Sequence, residues 1–278
     1  MRQSYSLHKI NNPDSFTFEP AEYSRFKFGD DSIAELYGRN LAINFIKEIL
    51  SIECCTNQIV VISSPYSFIP TATFALKNHF INALNHWLVK NSYQVVQETK
   101  IHRTITYKED YGELNAEQRI KLIGNDFFHI DKEFIKDKTL IFLDDIRITG
   151  SHERMISKML DQYQIKNNSY LLYFAELINS NIHPNIENYL NYYSIKSIFD
   201  LDYLIESEDF IINTRVVKFI LNNDNRTFKL FIQNKKSKFL NLLYFMAIGN
   251  GYHNIDVYSC NIITLQNEIK QSLLIPTI

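Results

Sequence analysis

Cysteine is nearly missing from this 278-residue sequence: there are three, of which Cys54 and Cys55 are adjacent and Cys260 is distant. Neighbouring cysteines seldom bridge each other, and no metal-ligand spacing is present. A disulfide-stapled fold is therefore not expected. The three are read as small buried residues in a reducing, cytoplasmic setting. An excess of either charge is missing too, with 29 Lys and Arg against 31 Asp and Glu. That balance argues against a general nucleic-acid surface or an anionic-membrane surface, while permitting a local basic site. No stretch approaches the roughly 20 apolar residues of a membrane span, and the N-terminus lacks the apolar centre of a signal peptide. Glycine is scarce at seven, while Asn, Ile, Lys and Tyr are abundant; this reads as general compositional bias. What is present is 45% hydrophobic residues, sufficient for a sizeable core. The length suits one large domain or two modest ones.

The chain is organised around residues 140–153. Leu140, Ile141, Phe142 and Leu143 read as a short buried strand. Asp144 and Asp145 follow it, then a turn with Thr149, Gly150 and Ser151. From Glu153 a helix is expected, with Met155, Ile156, Met159 and Leu160 on one face. In an open α/β sheet, ligands bind outside the carboxyl ends of the strands. A helix start offers unpaired N–H groups and partial positive charge, which suits a phosphate. Gly150 lets the backbone approach closely, and Thr149 and Ser151 add hydroxyls. Two carboxylates beside such a cradle suit the hydroxyls of a ribose 5-phosphate. The bland alternative is a capped helix after a strand, with two solvated Asp residues. Against it, consecutive carboxylates after a buried strand are costly to bury without partners.

The other segments fall into order around this one. Residues 1–29 read as an irregular arm with at most a short strand, and Arg25 and Lys27 as exposed surface charges, with a reach into the active site as the alternative. Asp30 to Ser32 cap a helix that uses Ile33, Leu36, Tyr37, Leu41, Phe45 and Ile49. Residues 58–62 are β-branched enough for a buried parallel strand. It ends in a hydroxyl-rich loop, Ser63, Ser64, Pro65 and Tyr66, that feeds a helix over 71–90. His79 and His86 on that helix read as satisfied or solvent-facing. Residues 93–99 suit an edge strand. Next comes a polar loop over 100–112 with Lys100, His102, Arg103 and Lys108, of the kind that closes as a lid. A short helix over 114–123, carrying Arg119, and a strand over 168–176 complete an alternating βαβ series. Residues 197–202 are read as a final strand or edge element. From about 206 the pattern is helical; Tyr244, Phe245 and Tyr252 there read as core, and Asn213, Arg215 and Lys218 as an unassigned polar patch.

An apolar strand, two acidic residues, two variable positions and a Thr-Gly-Ser turn resemble the phosphoribosyl pyrophosphate (PRPP) motif of type I phosphoribosyltransferases. Ile148 departs from the Thr that many members carry, which excludes a general base there. The 100–112 loop resembles that of the competence-associated branch. Tyr107 to Gly112 together with Asp144 to Glu153 look closer still to members in tellurium-resistance and stress gene clusters. The likeness spans roughly residues 23–275. It implies a Rossmann-like parallel sheet over 1–205, with an N-terminal arm, and a mainly helical hood over 206–278. It implies that Asp144 and Asp145 hold the ribose and, indirectly, Mg²⁺. Arg147, Ile148, Thr149, Gly150 and Ser151 would take the 5-phosphate, and Ser63, Ser64, Pro65 and Tyr66 the pyrophosphate. Lys100 and Arg103 would serve catalysis as cations. The implied partners are PRPP and a small acceptor, with no nucleic acid and no membrane, and a homodimer is left open. The alternative is a sensor of PRPP or nucleotides with the same fold. A haloacid-dehalogenase-type phosphatase ranks low, because it would want Asp-x-Asp.

Overall fold

Three apolar stretches carry residues of alternating direction that are buried on both sides, the condition for a parallel sheet covered by helices on both faces. In the computed structural model, which describes residues 2–53, 57–104 and 127–274, they belong to a five-stranded parallel sheet. Its strands are β1 (Arg2–Ile10), β2 (Ile59–Ser63), β3 (Gln97–Lys100), β6 (Thr139–Arg147) and β7 (Ser169–Leu177), in the order β1-β7-β6-β2-β3. A separate antiparallel pair joins β4 (His102–Thr104) to β5 (Phe127–His129). Four helices matter to the site: α1 (Pro20–Lys27), α2 (Asp31–Phe45), α3 (Ala72–Lys90) and α4 (Ser151–Gln162). Ile59, Val61, Ile141, Leu143 and Leu172 face α2 and α3. Val60, Ile62, Leu140, Phe142 and Leu171 face α4.

The strand order reverses between β2 and β6. From β2 the chain leaves towards α3 on one face; from β6 it leaves towards α4 on the other. This divergence opens a crevice at the carboxyl ends of those two strands, the usual ligand position in such sheets. On the first face, α2 and α3 cross tightly at Gly38. A Cβ built there would lie 2.6 Å from the Leu76 carbonyl oxygen and 2.8 Å from the Phe80 backbone nitrogen. Gly38→Ala is therefore expected to destabilise the protein by about 1–3 kcal/mol, measurable by denaturant unfolding. An unchanged midpoint would mean that the two helices can separate at no cost.

Four more helices follow: α5 (Thr214–Leu221), α6 (Asn225–Ile232), α7 (Ser237–Gly249) and α8 (Asp256–Leu274). They enclose a second core with Val216, Phe228, Phe231, Leu243 and Leu265, which also recruits Phe28, Ile69 and Ile198. Tyr252 is buried in it, whereas Phe245 is exposed and makes an edge-to-face contact with Phe68, ring centres 5.5 Å apart.

Several expectations are corrected. The N-terminal arm is not irregular: it supplies β1, an edge strand paired with β7, and α1. β6 does not stop at Leu143; it continues through both carboxylates to Arg147, which pairs with Glu176 of β7. Residues 197–202 form no strand. Ser197 and Asp200 make a reciprocal capping box that starts a 3₁₀ turn. Cys260 is exposed rather than buried. Cys54 and Cys55, the loop from residue 105 with Lys108, and the expected helix over 114–123 with Arg119 lie outside the described residues. Among the described residues, no helix is long and apolar enough to cross a membrane.

Candidate active site

Because side chains alternate along β6, Asp144 and Asp145 face different layers. Asp145 turns towards α1 and α3 and is 5% exposed. Tyr23 Oη donates to its Oδ2 at 2.6 Å, Lys27 Nζ forms an ion pair with the same oxygen, and Thr73 Oγ1 donates to Oδ1 at 2.9 Å. Burial alone would raise the Asp145 pKa. The Lys27 ammonium and the three donated hydrogen bonds outweigh it, so the carboxyl is held below its ordinary value. Tyr23 is pushed well up, by burial first and by Asp145 second. Lys27 is thus no surface charge, contrary to the sequence reading. Arg25 is a half-buried neighbour, 3.7 Å from Asp30.

Asp144 turns towards α4 and the crevice. Ser64 Oγ donates to its Oδ1 at 3.0 Å, and His152 Nδ1 lies 2.8 Å from its Oδ2. These groups border a narrow cavity of about 10 Å³ that also touches Ser63, Ile101 and Tyr173. Ser63 and Ser64 are therefore on the same crevice as Asp144, as the sequence predicts. Tyr66 is in that neighbourhood as well: Lys100 Nζ, at the end of β3, lies 4.3 Å from the centre of its ring. Pro65 lies between Ser64 and Tyr66. Arg103 is on β4, with its backbone opposite Phe128.

The turn before α4 is shaped as a helix-start cradle. Gly150 is the N-cap, with φ +66° and ψ 14°, a left-handed conformation that suits glycine. Thr149 Oγ1 and Ser151 Oγ are 2.8 Å apart. Arg154 braces the loop from outside, donating to the Thr149 carbonyl at 2.8 Å and to Ser151 Oγ at 2.9 Å. Ile148 is half-buried and packs against the core beneath. Arg147 is ion-paired with Glu153 and Glu176, yet its guanidinium stays at the turn: a Cβ built at Gly150 would lie 3.3 Å from Arg147 Nη2 and 3.5 Å from Arg154 Nη1.

The sequence reading missed Tyr23, Thr73 and Arg154, and it gave Lys27 a reach into the site only as the alternative. A signal did exist for Tyr23 and Lys27: they are four apart and share a helix face, and a second carboxylate in a buried strand demands a cation.

A family profile described as PRTase ComF-like matches residues 1–265. No curated protein matches the chain. Solved structures similar to it include a hypoxanthine phosphoribosyltransferase from Staphylococcus aureus, 12% identical, covering 52% of this chain and 75% of that one with a TM-score of 0.33. The L. donovani hypoxanthine-guanine enzyme is 10% identical over 53% of this chain and 70% of that one, with a TM-score of 0.34. The enzyme from Schistosoma mansoni, in complex with IMP, is 14% identical over 61% and 80%, with a TM-score of 0.30. The assignment rests on the profile, which takes in the sheet, the crevice and most of the helical part. The chain belongs to the ComF-like phosphoribosyltransferase family.

Proposed function

We propose that the protein transfers ribose 5-phosphate from PRPP to a small, base-like acceptor and releases pyrophosphate. The observation that carries this reading is the meeting, at the reversal of strand order, of the Ser63–Ser64 loop, the Asp144 carboxylate and the helix-start turn over 149–151. Arg147, Thr149, Gly150 and Ser151, with the backbone of Ile148, hold the 5-phosphate, and Arg147 is oriented there by Glu153 and Glu176. Asp144 accepts from the ribose hydroxyls and stabilises positive charge developing on the sugar. Residues 63–66, Lys100 and Arg103 neutralise the departing pyrophosphate. Asp145, tied to Lys27, fixes the strand rather than touching the sugar. The helical part from residue 206 serves as the hood over the acceptor.

Mg²⁺ fits this crevice as an ion that arrives with PRPP. The described residues contain no group of three or more His, Cys, Asp or Glu side chains able to cage a metal. Mg²⁺ commonly uses one or two carboxylates, retained waters and substrate phosphates instead. Asp144 is the carboxylate that would hold it, and the ion would help neutralise the pyrophosphate. We read the reaction as a cytoplasmic step in a stress- or tellurium-resistance-linked biosynthesis, a reading supported by the sequence likeness of residues 107–112 and 144–153.

The sealed Asp145 favours a second reading, a PRPP sensor without turnover. Incubation with PRPP, Mg²⁺ and a panel of bases separates the two: pyrophosphate release is expected for the transferase, and PRPP binding without release for the sensor. Thr149→Val is expected to weaken PRPP binding about three- to tenfold by calorimetry, the loss of one hydrogen bond. Unchanged affinity would put the phosphate elsewhere.

A further inference from the structure

At 100° per residue, Thr71, Phe74, Ala75 and Asn78 lie on the opposite side of α3 from Thr73, which reaches Asp145. That opposite side borders a second cavity, of about 210 Å³, open to solvent. The loop joining α1 to α2, the start of α2 and residues 211–213 complete it. None of residues 63–66 or 144–151 lines it, so it is separate from the PRPP crevice. Its walls are held in place by backbone bonds: Ile211 N–H donates to the Gly29 carbonyl at 2.9 Å, Asp31 N–H to Asp209 at 2.9 Å, and Thr214 N–H to Pro70 at 2.9 Å. A preformed pocket at the junction of two cores, with few polar groups, has the character of a small-molecule site.

Its lining selects a chemical class. Phe26, Phe74, Ile211 and Ile212 give apolar and aromatic walls. Among the described residues no Lys or Arg lines it, while Asp30 and Asp31 do, so a phosphate is disfavoured and N–H donors are favoured. Asp30 is already engaged by the Ile33 N–H and the Ser32 hydroxyl. Asp31 meets only His79 among the described side chains, through Oδ1 at 3.1 Å, and its side chain remains 25% exposed. Thr71 Oγ1 is buried and has no hydrogen-bond partner among the described residues, although buried hydroxyls ordinarily have one. Asn78 adds an exposed amide at the rim.

We propose that this cavity is a second ligand site, for an unphosphorylated planar heteroaromatic or amidine-like molecule whose N–H groups meet Asp31 and whose polar edge reaches Asn78. The site does not depend on turnover in the crevice. Calorimetric titration with adenine, benzamidine and AMP tests it. Adenine or benzamidine is expected to bind. The affinity is expected to fall about tenfold or more in Asp31→Asn, where a charge-assisted bond is lost, and to vanish in Ala75→Phe, where the space is filled. Asp144→Asn is expected to leave that binding unchanged. Thermal melts of each variant confirm folding, and Asp31→Asn, which keeps the side-chain shape, carries the test if Ala75→Phe does not fold. The proposal is overturned if neither probe binds at millimolar concentration, if binding persists undiminished in Asp31→Asn, or if AMP binds as tightly as adenine.

Discussion

Lys27→Met is expected to destabilise the protein by about 3–5 kcal/mol at neutral pH, the range for removing one partner of a buried ion pair. The pair qualifies: the side chains of Lys27 and Asp145 are 10% and 7% exposed. Methionine fills similar space, so the loss comes from leaving the Asp145 charge buried with only Tyr23 and Thr73 as donors. The pH dependence has a definite sign. In the native protein the Asp145 pKa is depressed, so its contribution is fully present above the unfolded value of about 3.9 and is lost as pH falls through the folded value. In Lys27→Met, burial is no longer opposed by the ammonium, and the folded pKa rises above the unfolded one. The penalty is then largest at neutral pH and fades as the carboxyl protonates. The stability gap between the two proteins should narrow as pH is lowered from 7 towards 4, as read by urea unfolding. Lys27→Met combined with Asp145→Asn leaves no charge in the site and should be more stable than Lys27→Met alone. A gap that is constant with pH would mean that Asp145 is not the partner that matters.

This pair also marks where the sequence stopped being legible. β2, β7 and α3 were readable because their signals are local: apolar runs ending in hydroxyls or prolines, and helical spacing from residue 71. The phosphate cradle was readable for the same reason, since Gly150 and its neighbours form one short turn. β1 was not. Its residues are largely polar and half-exposed because it is an edge strand, and its partner β7 begins at Ser169. The true end of β6 was hidden for a related reason. Two adjacent aspartates look like a strand terminus, and only the distant Lys27, Tyr23 and Thr73 allow one of them to stay inside. Lys27 and Asp145 are 118 positions apart. The four-residue spacing of Tyr23 and Lys27 marks a shared helix face, but it does not say which distant carboxylate that face meets.

Asp144→Asn and Asp145→Asn should therefore fail in opposite ways, although the residues are neighbours. Asp144 faces the crevice, where Ser64 and His152 orient it. Asn in its place keeps the size and a carbonyl acceptor but removes the negative charge opposite the developing sugar cation. Turnover of PRPP is expected to fall about 10²–10³-fold, the scale for deleting one preorganised electrostatic group, with little change in unfolding midpoint. Asp145→Asn strands the Lys27 ammonium in the interior, so its main effect should be a loss of about 3 kcal/mol or more. Its activity should follow the folded fraction rather than fall on its own account. Steady-state pyrophosphate release, measured beside urea unfolding for both variants, distinguishes the two roles. Full stability with lost turnover in Asp145→Asn would show that α1 withdraws Lys27 and Tyr23 when the sugar binds and that the second carboxylate meets the ribose after all. Normal turnover in Asp144→Asn would count against the crevice as the seat of the chemistry, because among the described residues no other carboxylate lines that small cavity beside Ser63 and Ser64.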